Sequence, residues 1–83
     1  MKYNILFEKS AKKFILKQPP EQQKRLFLAI NKLPFEGDFK KMKGYTNYYR
    51  LRVGDYRVIY TKEDQILVIR VINVGNRGDV YKK

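Results

Sequence analysis

Apolar residues recur at two different periods along the 83-residue chain, and the change falls near residue 46. Lys2 to Phe7 (KYNILF) has the apolar density of a short strand. Over residues 8–17, Ala11, Phe14 and Ile15 stand at the i, i+3, i+4 spacing of an amphipathic helix. Gln18-Pro19-Pro20 must interrupt it, because proline lacks an N–H and disfavours helix in the residue before it. Pro20 suits the first position of a second helix, with Glu21 near its positive end. Leu26, Ile30 and Leu33 give that helix its apolar stripe, flanked by Phe27 and Ala29, and Leu33-Pro34 ends it. Residues 36–46 (EGDFKKMKGYT) read as a polar, basic connection. Three strands are expected beyond it, at about 47–53, 56–61 and 65–74, joined at Gly54-Asp55 and at Lys62-Glu63-Asp64. The last of them, ILVIRVINV, is apolar on both faces apart from Arg70 and Asn73, as in a central strand covered on both sides. The order βααβββ predicts one α+β domain over residues 1–83. Its helical hairpin packs on one face of a mostly antiparallel, four-stranded sheet.

The hairpin YYRLRVGDYRVIY (48–60) sorts its residues sharply between two faces. With Gly54-Asp55 as the turn, Val53 opposes Tyr56, Arg52 opposes Arg57, Leu51 opposes Val58 and Arg50 opposes Ile59. Cross-strand partners share a face, and faces alternate along each strand. One face carries Tyr49, Leu51, Val53, Tyr56, Val58 and Tyr60, all able to pack beneath helices. The other carries Tyr48, Arg50, Arg52, Arg57 and Ile59, with no carboxylate among them in this register. Like charges directly opposite destabilise a hairpin by up to about 1 kcal/mol per pair. A purely solubilising face would alternate signs, so the arrangement points to an anion, which arginine's planar fork meets bidentately.

Composition narrows the chemistry. A net charge of +11 indicates a polyanionic partner, nucleic acid or an acidic protein. Cysteine and histidine are both absent, which excludes disulfides, ordinary zinc sites, Ser-His triads and thiol nucleophiles. An enzyme built from this chain has to move protons with Tyr, Lys, Arg, Asp or Glu. Asp38, Asp55, Glu63 and Asp64 are scattered over expected turns and loops, so no metal site is expected. Ile5-Leu6-Phe7 is too short an apolar run for a signal peptide, and no stretch has the length of a membrane span. The expected location is the cytoplasm.

The ordered combination of KSAKKF, a helix ending in LP, KKMKGY, YRLRVGDYRVIY and VGNRGDVY resembles the RelE family of the RelE/ParE toxin superfamily. The resemblance spans essentially the whole chain. It implies the toxin of a type II toxin–antitoxin system, a ribosome-dependent endoribonuclease that cuts messenger RNA in the ribosomal A site. Its implied partners are a cognate antitoxin, covering the basic face, together with the ribosome and mRNA; no metal or other cofactor is implied. The family's active site is a basic cluster on the sheet, an arginine after the last strand and a tyrosine near the C-terminus. In this sequence those positions are Arg50, Arg52, Arg57, Arg77 and Tyr81. Gly75 and Gly78 are expected to turn the chain so that Arg77 and Tyr81 approach the sheet.

The implied reaction is attack by a ribose 2′-hydroxyl on the adjacent phosphate, leaving a cyclic phosphate and a 5′-hydroxyl. Arg50, Arg52 and Arg57 suit charge stabilisation, and Arg77 suits the leaving oxygen. Tyr81 is a candidate base, its reference pKa of about 10 lowered by surrounding cations, or a platform for a base of the message. Some members carry lysine where this chain has Arg50 and Arg52; arginine stays protonated, so any base role at those positions is lost. Many carry histidine where this chain has Asn76.

Two other readings share these features. A ParE-like toxin has the same fold but inhibits DNA gyrase and usually lacks the basic cluster with its tyrosine. A non-catalytic nucleic-acid-binding domain has the same electrostatics without needing Tyr81. Lys40, Lys41 and Lys43 are candidates for extending the basic surface over RNA, a solvated loop being their plainer role. Tyr48, with Tyr45, is a candidate for stacking on bases, and partly buried packing at the sheet edge is the plainer expectation for both.

Overall fold

The computed structural model describes residues 2–76, so Arg77, Tyr81 and Gly78 lie outside the described residues. The elements are β1 (Asn4–Phe7), α1 (Lys9–Leu16), α2 (Pro20–Asn31), β2 (Asp38–Lys41), β3 (Tyr48–Val53), β4 (Tyr56–Glu63) and β5 (Val68–Asn76). They form a two-helix, five-stranded α+β domain with strand order β1-β5-β4-β3-β2. β1 runs parallel to β5, and all other pairings are antiparallel. The break between the helices follows from Pro19-Pro20, which cannot donate to α1. The carbonyls left over there are taken by amides: Gln18 Nε2 donates to Phe14 O at 3.1 Å, and Gln23 Nε2 to Gln18 O at 2.8 Å.

The fifth strand is β2, in the stretch expected to be a loop. DFKK has one apolar residue and no alternation of its own; its pairing with β3 makes it a strand, with Phe39 opposite Leu51. Asp38, Lys40 and Lys41 are therefore strand residues. The β4–β5 connection also differs from the expected Lys62-Glu63-Asp64 turn. β4 continues through Lys62 and Glu63, and the turn is Asp64 to Leu67. Leu67 takes φ +54, so this apolar residue serves a turn instead of a strand. At the other end β5 runs two residues past the expected Val74, keeping Gly75 inside the strand without a positive φ. The expected sharp turn at Gly75 is absent.

Both helices pack on one face of the sheet. Ile15, Leu26 and Ile30 are fully buried against Leu51, Val58, Tyr60, Ile69 and Val71. Tyr49 and Tyr60 stack beneath them with ring centroids 5.5 Å apart. Tyr56 sits edge-on to Phe14 and donates its hydroxyl to Gln18 Oε1 at 2.9 Å. β5 is central, as expected, but among the described residues both helices cover only one of its faces.

The β3–β4 hairpin has the register read from the sequence: Val53 opposite Tyr56, Arg52 opposite Arg57, Leu51 opposite Val58, Arg50 opposite Ile59. Gly54 takes φ +58, the left-handed start that a glycine-led two-residue loop needs. The Arg25 guanidinium lies over this turn, so close that a Cβ at Gly54 would stand 2.8 Å from its Nη1. Helix α2 thereby reaches, through Arg25, the tip of the strand pair that carries the arginines.

Candidate functional site, an arginine face on the open side of the sheet

The register places side chains of the helix-free face in rows across the strands. One row is Asp38, Arg52, Arg57 and Gly75; the next is Lys40, Arg50, Ile59 and Asn73. Neighbouring strands are about 4.8 Å apart, and alternate residues of one strand about 6.8 Å. Arg50, Arg52 and Arg57 thus spring from backbone points close enough for three guanidinium groups to meet one phosphate. Arg52 is exposed, Arg50 and Arg57 are half-buried, and Ile59 between them is 7% exposed. The structure brings these three predicted site residues together.

The face is not free of carboxylates, contrary to the expectation from the hairpin alone. Because β2 is a strand, Asp38 stands opposite Arg52, its Oδ2 4.0 Å from Arg52 Nε. Both side chains are at least half exposed, so the pair is weak. Because β4 is longer than expected, Glu63 also joins this face. Its Oε2 accepts from Arg70 Nε at 3.0 Å and from the Thr61 hydroxyl at 2.9 Å. The first bond, from Arg70, does most to hold the Glu63 carboxyl below the usual carboxylate range, and the second adds to it. Arg70, itself pushed up by Glu63, is a basic residue of this face that the sequence reading passed over. Its charge is internally matched.

A carboxylate with a depressed pKa adds stability that is full above its unfolded value and fades as pH falls through its folded value. Melting curves of wild type and Glu63→Gln should therefore differ most above about pH 4.3 and converge in more acid solution. Circular dichroism melts across that range check this. A difference that stays the same at every pH would mean that the charge of Glu63 contributes nothing to the fold.

The three predicted lysines divide. Lys40 continues the Arg50 row, Lys41 pairs with Tyr49 and so belongs to the opposite face, and Lys43 lies in the β2–β3 loop. All three are exposed. Tyr48 shares the arginine face, opposite Thr61, and is half-buried as expected of edge packing. Tyr45 is not: it remains 56% exposed, its ring tilted at 45° to that of Tyr48 with centroids 5.5 Å apart. Gly75 lies opposite Arg57, so the chain reaches its last described residues at the arginine end of the sheet.

A sheet backed by two helices on one face, with arginines clustered on the face the described residues leave open, is the arrangement expected of a small basic toxin of the RelE/ParE type. The sequence profile described as ParE toxin of the type II toxin-antitoxin system parDE matches residues 5–81. Toxin RelE3 of Methanocaldococcus jannaschii is 38% identical over 85 residues, covering 93% of each chain. A chain of the archaeal RelE-RelB complex from Pyrococcus horikoshii OT3 superimposes with a TM-score of 0.81 at 29% identity, over 95% of this chain and 99% of that one. A chain of the RelB-RelE antitoxin-toxin complex from Methanococcus jannaschii gives 0.75 at 34% identity, over 92% and 94%. The chain belongs to the RelE family of the RelE/ParE superfamily and is a type II toxin of that family. Among the described residues no helix is long and apolar enough to cross a membrane.

Proposed function

We propose that this toxin is an endoribonuclease that cuts messenger RNA in the ribosomal A site. The observation that carries the reading is the convergence of Arg50, Arg52 and Arg57 on the helix-free face. In the cut, the ribose 2′-oxygen attacks the adjacent phosphorus, the bond to the 5′-oxygen breaks, and a 2′,3′-cyclic phosphate and a 5′-hydroxyl remain. One proton leaves the 2′-hydroxyl and one reaches the 5′-oxygen. Negative charge grows on the non-bridging oxygens, where fixed guanidinium groups stabilise the transition state more than the ground state. Arg77 serves the leaving oxygen, and Tyr81 acts as base or as a stacking platform. No step requires a metal ion.

A cognate antitoxin is the proposed inhibitor, consistent with the RelE–RelB complexes of the archaeal relatives. At +11 the toxin favours an acidic antitoxin segment laid across the arginine face, where it would displace RNA. The matching ParE-type profile supports a second reading, inhibition of DNA gyrase. Expression without an antitoxin separates the two. Growth arrest with translation-dependent cuts in primer extension supports the nuclease. Arrest with intact messages and inhibited gyrase replaces it with the ParE-like activity.

A further inference from the structure

The β2–β3 loop carries a feature that the arginine site does not use. Between Phe39 and Gly54 the chain holds Lys40, Lys41, Lys43, Arg50 and Arg52 and no carboxylate. In the middle of that cationic stretch Tyr45 exposes 56% of its surface and lies against Tyr48 at 5.5 Å. Tyr45 also lines a shallow cavity of about 470 Å³ with Lys41, Met42, Lys43 and Thr46. Gly44 takes φ +80, and apart from its chain neighbours nothing lies within 4 Å of where its Cβ would stand, so the loop is open at that point. Tyr48 precedes Arg50 by two residues on the same face, about 7 Å along the strand. That step is the scale of one nucleotide in an extended strand.

We infer that Tyr45 and Tyr48, with Lys43 in the same loop, form a subsite for one base of single-stranded RNA beside the cleaved phosphate. The subsite rests on the RNA-cleaving reading and adds to it a place where the strand is gripped. An exposed ring among cations offers a base its face and the neighbouring phosphate its charges, a combination typical of sequence-tolerant single-strand binding. An acidic peptide would use the lysines through its carboxylates alone, and its binding would not depend on Tyr45 unless it also carried an aromatic side chain. Duplex RNA would satisfy the charges while keeping its bases stacked on each other.

The test uses the full chain and a fluorescein-labelled, nine-nucleotide 2′-O-methyl RNA, which cannot be cut, in the absence of ribosomes. Tyr45→Ala should weaken binding about tenfold and Tyr45→Trp should restore it. The melting temperature should not move, since the ring is exposed. Heparin, a polyanion without bases, should bind wild type and Tyr45→Ala alike, and an RNA duplex of the same sequence should compete poorly. Unchanged RNA affinity in Tyr45→Ala overturns the subsite, as does an equal loss for RNA and heparin or a wild type that binds no RNA. Ribosome-dependent cleavage by the wild type is measured alongside. A wild type that grips RNA through Tyr45 but never cuts leaves the subsite standing and removes the nuclease.

Discussion

Arg52→Ala is expected to lower the rate of messenger cleavage by about 100- to 1,000-fold without unfolding the domain. Removal of one fixed donor from the charge that develops in a transition state typically costs this much. The fold should be indifferent, because the Arg52 side chain is half exposed and its partner Asp38 is a distant, solvated 4.0 Å contact. Loss of such a pair changes stability by no more than about 1 kcal/mol. Arg52→Lys should recover part of the rate, since the charge returns without the bidentate fork. Arg77→Ala and Tyr81→Phe should fall with Arg52→Ala if they share the transition state. Initial rates from primer extension in a translating extract, with a melt on each variant, are the measurements. Full cutting by Arg52→Ala would reduce the arginine row to a surface for the antitoxin.

The arginine cluster was legible because a single feature governs it. Gly54 sets the loop, the loop sets the register, and the period of two then assigns every side chain of β3 and β4 to a face. The rest of the face depended on pairings with no local signature. Asp38 and Lys40 reach it only because β2 adds to β3 as an edge strand, and DFKK by itself has no strand pattern. Charged residues are common on exposed edges, which is why the segment reads as a loop. Glu63 and Arg70 were obscured by the turn. With Lys62-Glu63-Asp64 as the connection, Glu63 belongs to no face; moving the turn to Asp64–Leu67 lets it reach Arg70 at 3.0 Å. Ile66, 59% exposed, and Leu67 mimic the start of a buried strand while they serve that turn.

These two corrections change the electrostatic picture. The face is bounded by Asp38 beyond Arg52 and by the Glu63–Arg70 pair farther along β4, with Lys40, Arg50, Arg52 and Arg57 between them. Among the described residues, the positive charge of this face is thus concentrated at the hairpin instead of being spread over the whole sheet. Local concentration of charge suits chemistry at one phosphate better than a uniformly basic surface would.

Tyr60→Ala should have the largest effect on stability and lose function at temperatures above its lowered Tm. Tyr60 is 1% exposed, stacks on Tyr49 at 5.5 Å and 16°, and lies on the inner face of β4 at the bulge where the register with β5 shifts. Burial, with the neighbouring Tyr49 phenol, holds its phenol above the usual tyrosine range. Truncating an aromatic side chain in such a position costs about 3–5 kcal/mol. Small domains are stable by only about 5–15 kcal/mol, and each kcal/mol lowers Tm by about 4–8 °C at this size. A Tm fall of roughly 12–40 °C is therefore expected. Tyr60→Phe keeps the ring and should lose far less. The link to the site is mechanical: Tyr60 anchors β4 to the core three residues from Arg57, on the face opposite the arginines. Thermal melts measure the loss, and cleavage assayed below the lowered Tm separates unfolding from displacement of Arg57. If Tyr60→Ala cuts normally while folded, the arginine row is held by the hairpin turn and the strand pairing, and the aromatic stack beneath it serves stability only.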